Sequence, residues 1–231
     1  AQAIIDGRQQ TVHVLVVSFP FSNARFAVVT PGETAECVCS GLRQIFEHIC
    51  AVPTMIVFDN ATGVGHRKAD GTVTTTRVFE AFRTHYGIRA VFTNPNSGNE
   101  KGSVENAVGF LRRNLMVPVP AAQSLSGLSR ALLERCDGLL EHEHYRKQVP
   151  VRELFEADKK ACRVLPRIGF DACTWETRIV DLVGNIMIGQ TRYLADSDYA
   201  NQRVHVGIRA ATIEILDSNG VKIVEHERCY S

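Results

Sequence analysis

The chain lacks the features that would make it fibrous, disordered or membrane-spanning. Its 8 prolines and 17 glycines in 231 residues form neither a collagen-like repeat nor a low-complexity tract. No apolar run approaches the roughly 18 residues needed to cross a bilayer. The opening AQAIIDGRQQ lacks a basic-then-apolar leader pattern, so the expectation is a cytoplasmic protein that does not contact a membrane. There is no CxxC pair. Of seven cysteines only Cys37 and Cys39 lie close together, at a one-residue gap that fits neither a zinc site nor a redox motif, and the thiols read as reduced and mostly internal. A charge excess is missing too: 26 bases against 25 acids give +1, so bulk electrostatics gives no sign of a polyanionic partner.

What is present is an ordinary globular composition, 45% hydrophobic and 22% charged. Strand-like runs over 11–19 (TVHVLVVSF) and 25–29, separated by PFSN, read as an antiparallel pair. Residues 3–5 before an Asp6-Gly7 turn read as an earlier strand cut short by the start of the chain, with further sequence expected before residue 1. Val38, Leu42, Ile45, Phe46 and Ile49 recur at spacings of three and four, which marks a helix capped by Thr34. A short buried strand follows over 54–58, then a Gly-, Thr- and charge-rich loop or insertion over 63–75. A helix from Thr76 to Gly87, a strand over 88–92, the turn-rich Asn94-Pro95-Asn96-Ser97-Gly98-Asn99 and a helix over 101–116 complete an α/β pattern. It predicts a mixed sheet with helices on its faces.

Pro118 and Pro120 interrupt this pattern, after which helices are expected over 124–144 and 151–160. Beyond Pro166 and Gly169, five short strands at 178–181, 185–188, 203–208, 211–216 and 222–226 suggest a small β-barrel. The expected domains are 1–116, an α/β core; 117–171, a helical connector; and 172–231, the barrel. Eight acids against six bases over 172–231 argue against the barrel gripping DNA through bulk charge.

Two acids stand where chemistry is expected. Asp59 directly follows MIVF, at the carboxyl end of a strand, where open α/β sheets place reactive groups. Equally, Asp-Asn after a strand starts turns by bonding its own backbone. Glu105 lies in GNEKGSVENAVGFLRRNL on a helix opened by a Gly- and Asn-rich loop, and taken alone it reads as a solvated helix glutamate. Together they suit phosphodiester chemistry with two divalent ions, which needs converging carboxylates because hard ions prefer oxygen. Lys101, Glu105 and Arg112 fall within roughly 60° of one another on one helix face. A cationic line beside a metal-binding acid suits a DNA backbone, and a solvated charged face with a Lys101–Glu105 pair is the alternative.

The series VFDNATGV, a helix ending THYGI, and a strand into TNPNSGNEKGSVENAVGFLRRNL resembles the catalytic core of retroviral integrases and DDE transposases, an RNase H-like fold. With 45 residues between Asp59 and Glu105, the KGSVEN version looks most like IstA-type transposases of insertion sequences that encode a separate AAA+ ATPase helper. VRELFEADKKACRVLP, then GNIMIGQTRYLADSDYANQRVHVGI and IVEHER, are similar to the C-terminal part of the same family. The resemblance implies that Asp59 and Glu105 are the second and third catalytic acids and ligands of two Mg²⁺ (or Mn²⁺) ions. It implies that Lys101, Arg112 and Arg113 contact phosphates and that the loop of Asn94 and Asn96 closes over DNA. It further implies cleavage at transposon ends, strand transfer into target DNA, an ATPase helper and oligomers on DNA. The family's first acid stands in a segment resembling Asp-Phe-Gly, which is not found here; Asp6 reads as a turn residue. The expectation is a fragment with little or no activity alone.

Other features carry less. Glu141-His142-Glu143-His144 reads as a solvated helix end, because residues two apart point about 160° apart on a helix. His205 and His226 read as structural strand residues, and Trp175 and Tyr193 as barrel core. Two rival readings stay open: a non-catalytic DNA-binding or nucleoprotein-assembly module, and a metal-dependent nuclease that does not join strands.

Overall fold

The computed structural model describes residues 1–59, 63–68, 70–93, 109 and 114–230. They form two compact units, Ala1–Phe170 and Asp171–Ser231. The first runs β1 (Gln2–Ile5), β2 (Arg8–Thr11), β3 (His13–Ser18), β4 (Arg25–Thr30), α1 (Ala35–Ile49), β5 (Ala51–Val52), β6 (Met55–Phe58), β7 (Gly65–Arg67) and β8 (Val73–Thr75). It continues through α2 (Arg77–Tyr86), β9 (Arg89–Phe92), β10 (Ala121–Ala122), α3 (Leu125–Leu139), α4 (Val151–Lys160) and β11 (Arg163–Val164). This is an α/β unit.

β1 and β2 form a tight hairpin because Asp6 and Gly7 both adopt positive φ, 50° and 73°, the geometry a two-residue turn needs to match strand twist. Asp6 is therefore a turn residue. β1 also pairs in parallel with β10. The antiparallel pair β3–β4 carries the core, with Phe26, Ala27, Val28 and Val29 buried against α1, α3 and α4. Phe19, Phe26 and Phe155 form one aromatic contact set, with ring centroids 5.0 to 6.3 Å apart, joining the hairpin to α4. Buried Ser129 of α3 bonds both backbone groups of Val29, accepting from its N–H at 3.1 Å and donating to its carbonyl at 3.2 Å.

Caps explain where the helices begin and end. Thr76 Oγ1 accepts from Phe79 N at the start of α2, and Gly87 closes it in the left-handed conformation. Ser124 caps α3 through Gly127 N. α3 stops at Leu139, five residues short of the helix expected over 124–144. The chain tightens there through bonds from Glu141 N to Gly138 O and from His142 N to Leu139 O, then forms a loop bridged by Glu143 and Pro150. His144 is consequently a buried turn organiser, not part of a solvated helix end: its Nδ1 accepts from Arg146 N and Lys147 N.

β6 is not the buried strand expected. Met55 and Val57 are both 50% exposed, while Ile56 and Phe58 face the partly covered side. An apolar run alone does not separate a strand buried on two faces from one buried on a single face.

The second unit comprises β12 (Thr174–Ile179), β13 (Asn185–Ile188), β14 (Thr191–Leu194), β15 (Arg203–Ile208), β16 (Thr212–Leu216) and β17 (Lys222–Glu227). β12-β15-β16-β17 form a four-stranded antiparallel sheet and β13–β14 a hairpin. Both feed one core of Val180, Ile186, Tyr193, Val204, Val206, Ile213 and Ile215, and among the described residues no strand pairing closes them into a barrel. Tyr193 is internal as expected, but Trp175 is 50% exposed. The register sets Trp175 opposite Gly207, on the face turned away from Val204, Val206 and Ile208. Of the seven cysteine thiols three, Cys37, Cys39 and Cys136, are buried, so fewer are internal than expected.

Candidate functional site

β6 and β9 run parallel with Phe58 opposite Phe92, so their carboxyl ends lie side by side. The rings of Phe58 and Phe92 stack at 5.4 Å, and Phe79 of α2 meets Phe58 edge-on at 5.5 Å. This aromatic floor fixes the strand ends from which Asp59 emerges. Thr93 N donates to Phe58 O at 3.0 Å, and the Thr93 hydroxyl lies 3.3 Å from both the Phe58 and Asp59 carbonyls. Asp59 is exposed, and its carboxylate has no ion pair or hydrogen bond among the described residues. A carboxylate at a strand end with no partner among the described residues is available to a cation.

The stretch over 63–75, expected as a loop or insertion, contains the hairpin β7–β8. Gly65 permits it: a Cβ there would stand 2.5 Å from the Thr74 carbonyl oxygen of the partner strand. The hairpin delivers Arg67, whose Nη2 donates to Thr93 O at 2.7 Å and whose Nη1 donates to Gly71 O at 2.8 Å. A guanidinium is thus fastened to the residue that also bonds the Asp59 carbonyl. Sequence reading missed Arg67, because its role depends on a contact with Thr93 across two strands and a helix, with only a lone basic residue in a glycine-rich stretch to suggest it.

Below Arg67 the Thr75 hydroxyl bonds Glu80, and Arg83 Nε donates to the second Glu80 oxygen at 2.6 Å. The Thr75 hydroxyl chiefly, with Arg83 beside it, holds the Glu80 carboxyl below the ordinary glutamate range against a partial burial that opposes it. These residues line a polar groove of about 370 Å³ together with Arg67, Ala90 and Phe92.

Glu105, Lys101, Arg112, Arg113, Asn94 and Asn96 lie outside the described residues. Among those that are described, no three of His, Cys, Asp and Glu gather closely enough to hold a metal ion. No helix among them is long and apolar enough to cross a membrane.

An α/β unit with an unpaired acid at the end of a parallel strand pair, followed by an antiparallel β unit, is the class of protein this geometry defines. By sequence the chain is similar to insertion-sequence transposases. It is 30% identical over 232 residues to the transposase for insertion sequences IS1326/IS1353 of Pseudomonas aeruginosa, covering 99% of this chain and 45% of that protein. The Shigella flexneri transposase of the same name gives the same values. A transposase of Aminobacter aminovorans is 24% identical over 228 residues, 98% of this chain and 44% of its own length. The chain thus spans about half the length of the relatives it matches. Residues 165–231 match the Mu transposase C-terminal domain. A similar solved structure is the catalytic core domain of BIV integrase, at 16% identity and a TM-score of 0.46, covering 69% of this chain and 93% of that one.

Proposed function

We propose that the chain is the catalytic and C-terminal part of a DDE transposase, acting on DNA by metal-dependent cleavage and strand transfer. The observation that carries this reading is Asp59: an exposed, unpaired carboxylate at the end of the β6–β9 pair, in a chain similar along nearly its whole length to transposases. On this reading 1–116 is an RNase H-like core, 117–171 a helical connector and 172–231 a small barrel.

The donor chemistry suits a hard divalent ion. Asp59 offers carboxylate oxygens with no competing cation among the described residues, and Glu105 is the second acid that would complete the pair. Bound there, Mg²⁺ supplies charge for the phosphoryl oxygens and lowers the pKa of an attacking water or hydroxyl. The chain's own residues position the DNA. Thr93 and Arg67 fix the strand end that carries Asp59, while Lys101, Arg112 and Arg113 would take phosphates and the loop of Asn94 and Asn96 would close over the DNA. Two acids hold ions more weakly than three, so the 231-residue chain is expected to cleave poorly alone.

Calorimetric titration with Mn²⁺ tests the site. Asp59→Asn and Glu105→Gln should each weaken binding by about tenfold or more, and in the complete transposase each should abolish cleavage and strand transfer while leaving DNA affinity in chelator intact. Mn²⁺ affinity that ignores both substitutions would refute the catalytic assignment and favour a non-catalytic assembly module.

A further inference from the structure

Two turns far apart in sequence meet at the surface of the first unit. One, between β3 and β4, presents Phe21, 51% exposed; the other, between α3 and α4, presents Tyr145, 71% exposed. Neither shares an element with Asp59, Arg67 or Thr93. Both turns are rigidly built. Phe19 and Ala24 pair across the first, Asn23 takes a positive φ of 62°, and Ser22 N is held by Asp158 of α4. The second is braced by His144, whose backbone bonds Gln148 and Val149 and whose ring accepts from Arg146 and Lys147.

The turns are joined by Lys147. Its ammonium lies 3.2 Å from the centre of the Phe21 ring and donates to the Phe21 carbonyl at 2.9 Å. Next to it the Arg146 guanidinium lies 5.2 Å from the Tyr145 ring centre. On α4, Arg152 and Lys159 pair with Glu141 and Glu156, whereas Arg146 and Lys147 have no carboxylate at ion-pair distance among the described residues. Two uncompensated positive charges therefore stand on aromatic supports that fix their positions at the surface.

We propose that this patch of Phe21, Tyr145, Arg146 and Lys147 is a docking site for the phosphate backbone of duplex DNA, separate from the acids. The proposal rests on the reading that the chain acts on DNA and adds a contact that reading does not require. Single-stranded DNA would need open ring faces for base stacking, and here cations sit over the rings. What the patch presents is positive charge in a fixed arrangement, which suits the regular phosphates of a duplex and carries no sequence preference.

Fluorescence anisotropy with a labelled duplex of arbitrary sequence, in EDTA across 50 to 200 mM salt, tests it with the 231-residue chain. Replacing Arg146→Ala and Lys147→Ala together should weaken binding roughly tenfold or more at 0.1 M salt. The slope of log K against log salt should fall by about 1.8, at ~0.9 per phosphate contact. Phe21→Leu, which keeps both charges but removes the support, should give a smaller loss. Circular dichroism establishes that each variant is folded. Unchanged affinity and slope in the folded double variant would overturn the proposal while leaving the Mn²⁺ reading of Asp59 intact. So would loss of polyglutamate binding with duplex binding unaltered, which points to an acidic protein instead.

Discussion

Ser129→Ala is the substitution whose cost the structure defines most directly. Ser129 is 1% exposed, and its hydroxyl is the partner of both the N–H and the C=O of Val29. Val29 faces Val14 of β3 in the ladder, but its backbone N–H and C=O are bonded to Ser129 of α3. Alanine removes the hydroxyl without adding bulk, so two backbone groups lose their partner in a buried, mainly apolar environment. Each unsatisfied group costs ~1–3 kcal/mol, and partial relaxation of α3 brings the expected total to about 2–3 kcal/mol. For a unit of this size each kcal/mol lowers Tm by ~2–4 °C, so a fall of about 4–12 °C is expected. Urea denaturation followed by circular dichroism should show a lower midpoint with an unchanged m value. Ser126→Ala, on the exposed side of the same helix, should stay within ~0.5 kcal/mol of the parent. A Ser129→Ala loss below ~0.5 kcal/mol would refute the idea that this hydroxyl satisfies the Val29 backbone.

Glu80 gives a pH dependence. Its carboxyl titrates below the ordinary 4.5 in the folded chain, so its contribution is present above that value and is lost as pH falls through the lower folded pKa. Thr75→Val should flatten that part of the acid limb of stability, read as urea midpoints between pH 3 and 6; an unaltered limb would show that the Thr75 bond contributes nothing. Thiol labelling should separate the cysteines. Exposed Cys50 and Cys229 should react with a maleimide in the native protein, while Cys37, Cys39 and Cys136 should wait for unfolding. Burial raises the Cys39 thiol strongly and the Cys136 thiol to about 11. Mass spectrometry of native and denatured samples decides, and prompt native labelling of Cys136 would contradict its burial.

Local rules were most legible where a cap and an apolar stripe coincided. The start of α1 after Thr34, the Thr76 and Gly87 caps and the span Val151–Lys160 could all be read from residue type and spacing, although the Thr34 side chain makes no capping bond. The end of α3 could not, because the leucine pattern continues to Leu140 and EHEH contains no glycine or proline to mark the stop. The loop there is made instead by the His144 ring, a side chain acting as a turn partner. β14 was missed for a related reason: in TRYL only Tyr193 faces the core, so one buried residue had to signal a strand. Trp175 shows the limit of apolarity as a guide, since strand register set it opposite Gly207 and sent it outward. Of the candidate site, Asp59 was legible as the residue ending a hydrophobic strand. Arg67 was not, because nothing local ties it to Thr93.

The outward placement of Trp175 has a practical consequence. It is the only tryptophan in the chain and belongs to the second unit, so tryptophan emission reports on Asp171–Ser231 alone. The first unit contains most of the helix and dominates the far-ultraviolet signal. One denaturation experiment read at two wavelengths therefore follows each unit separately, without a label.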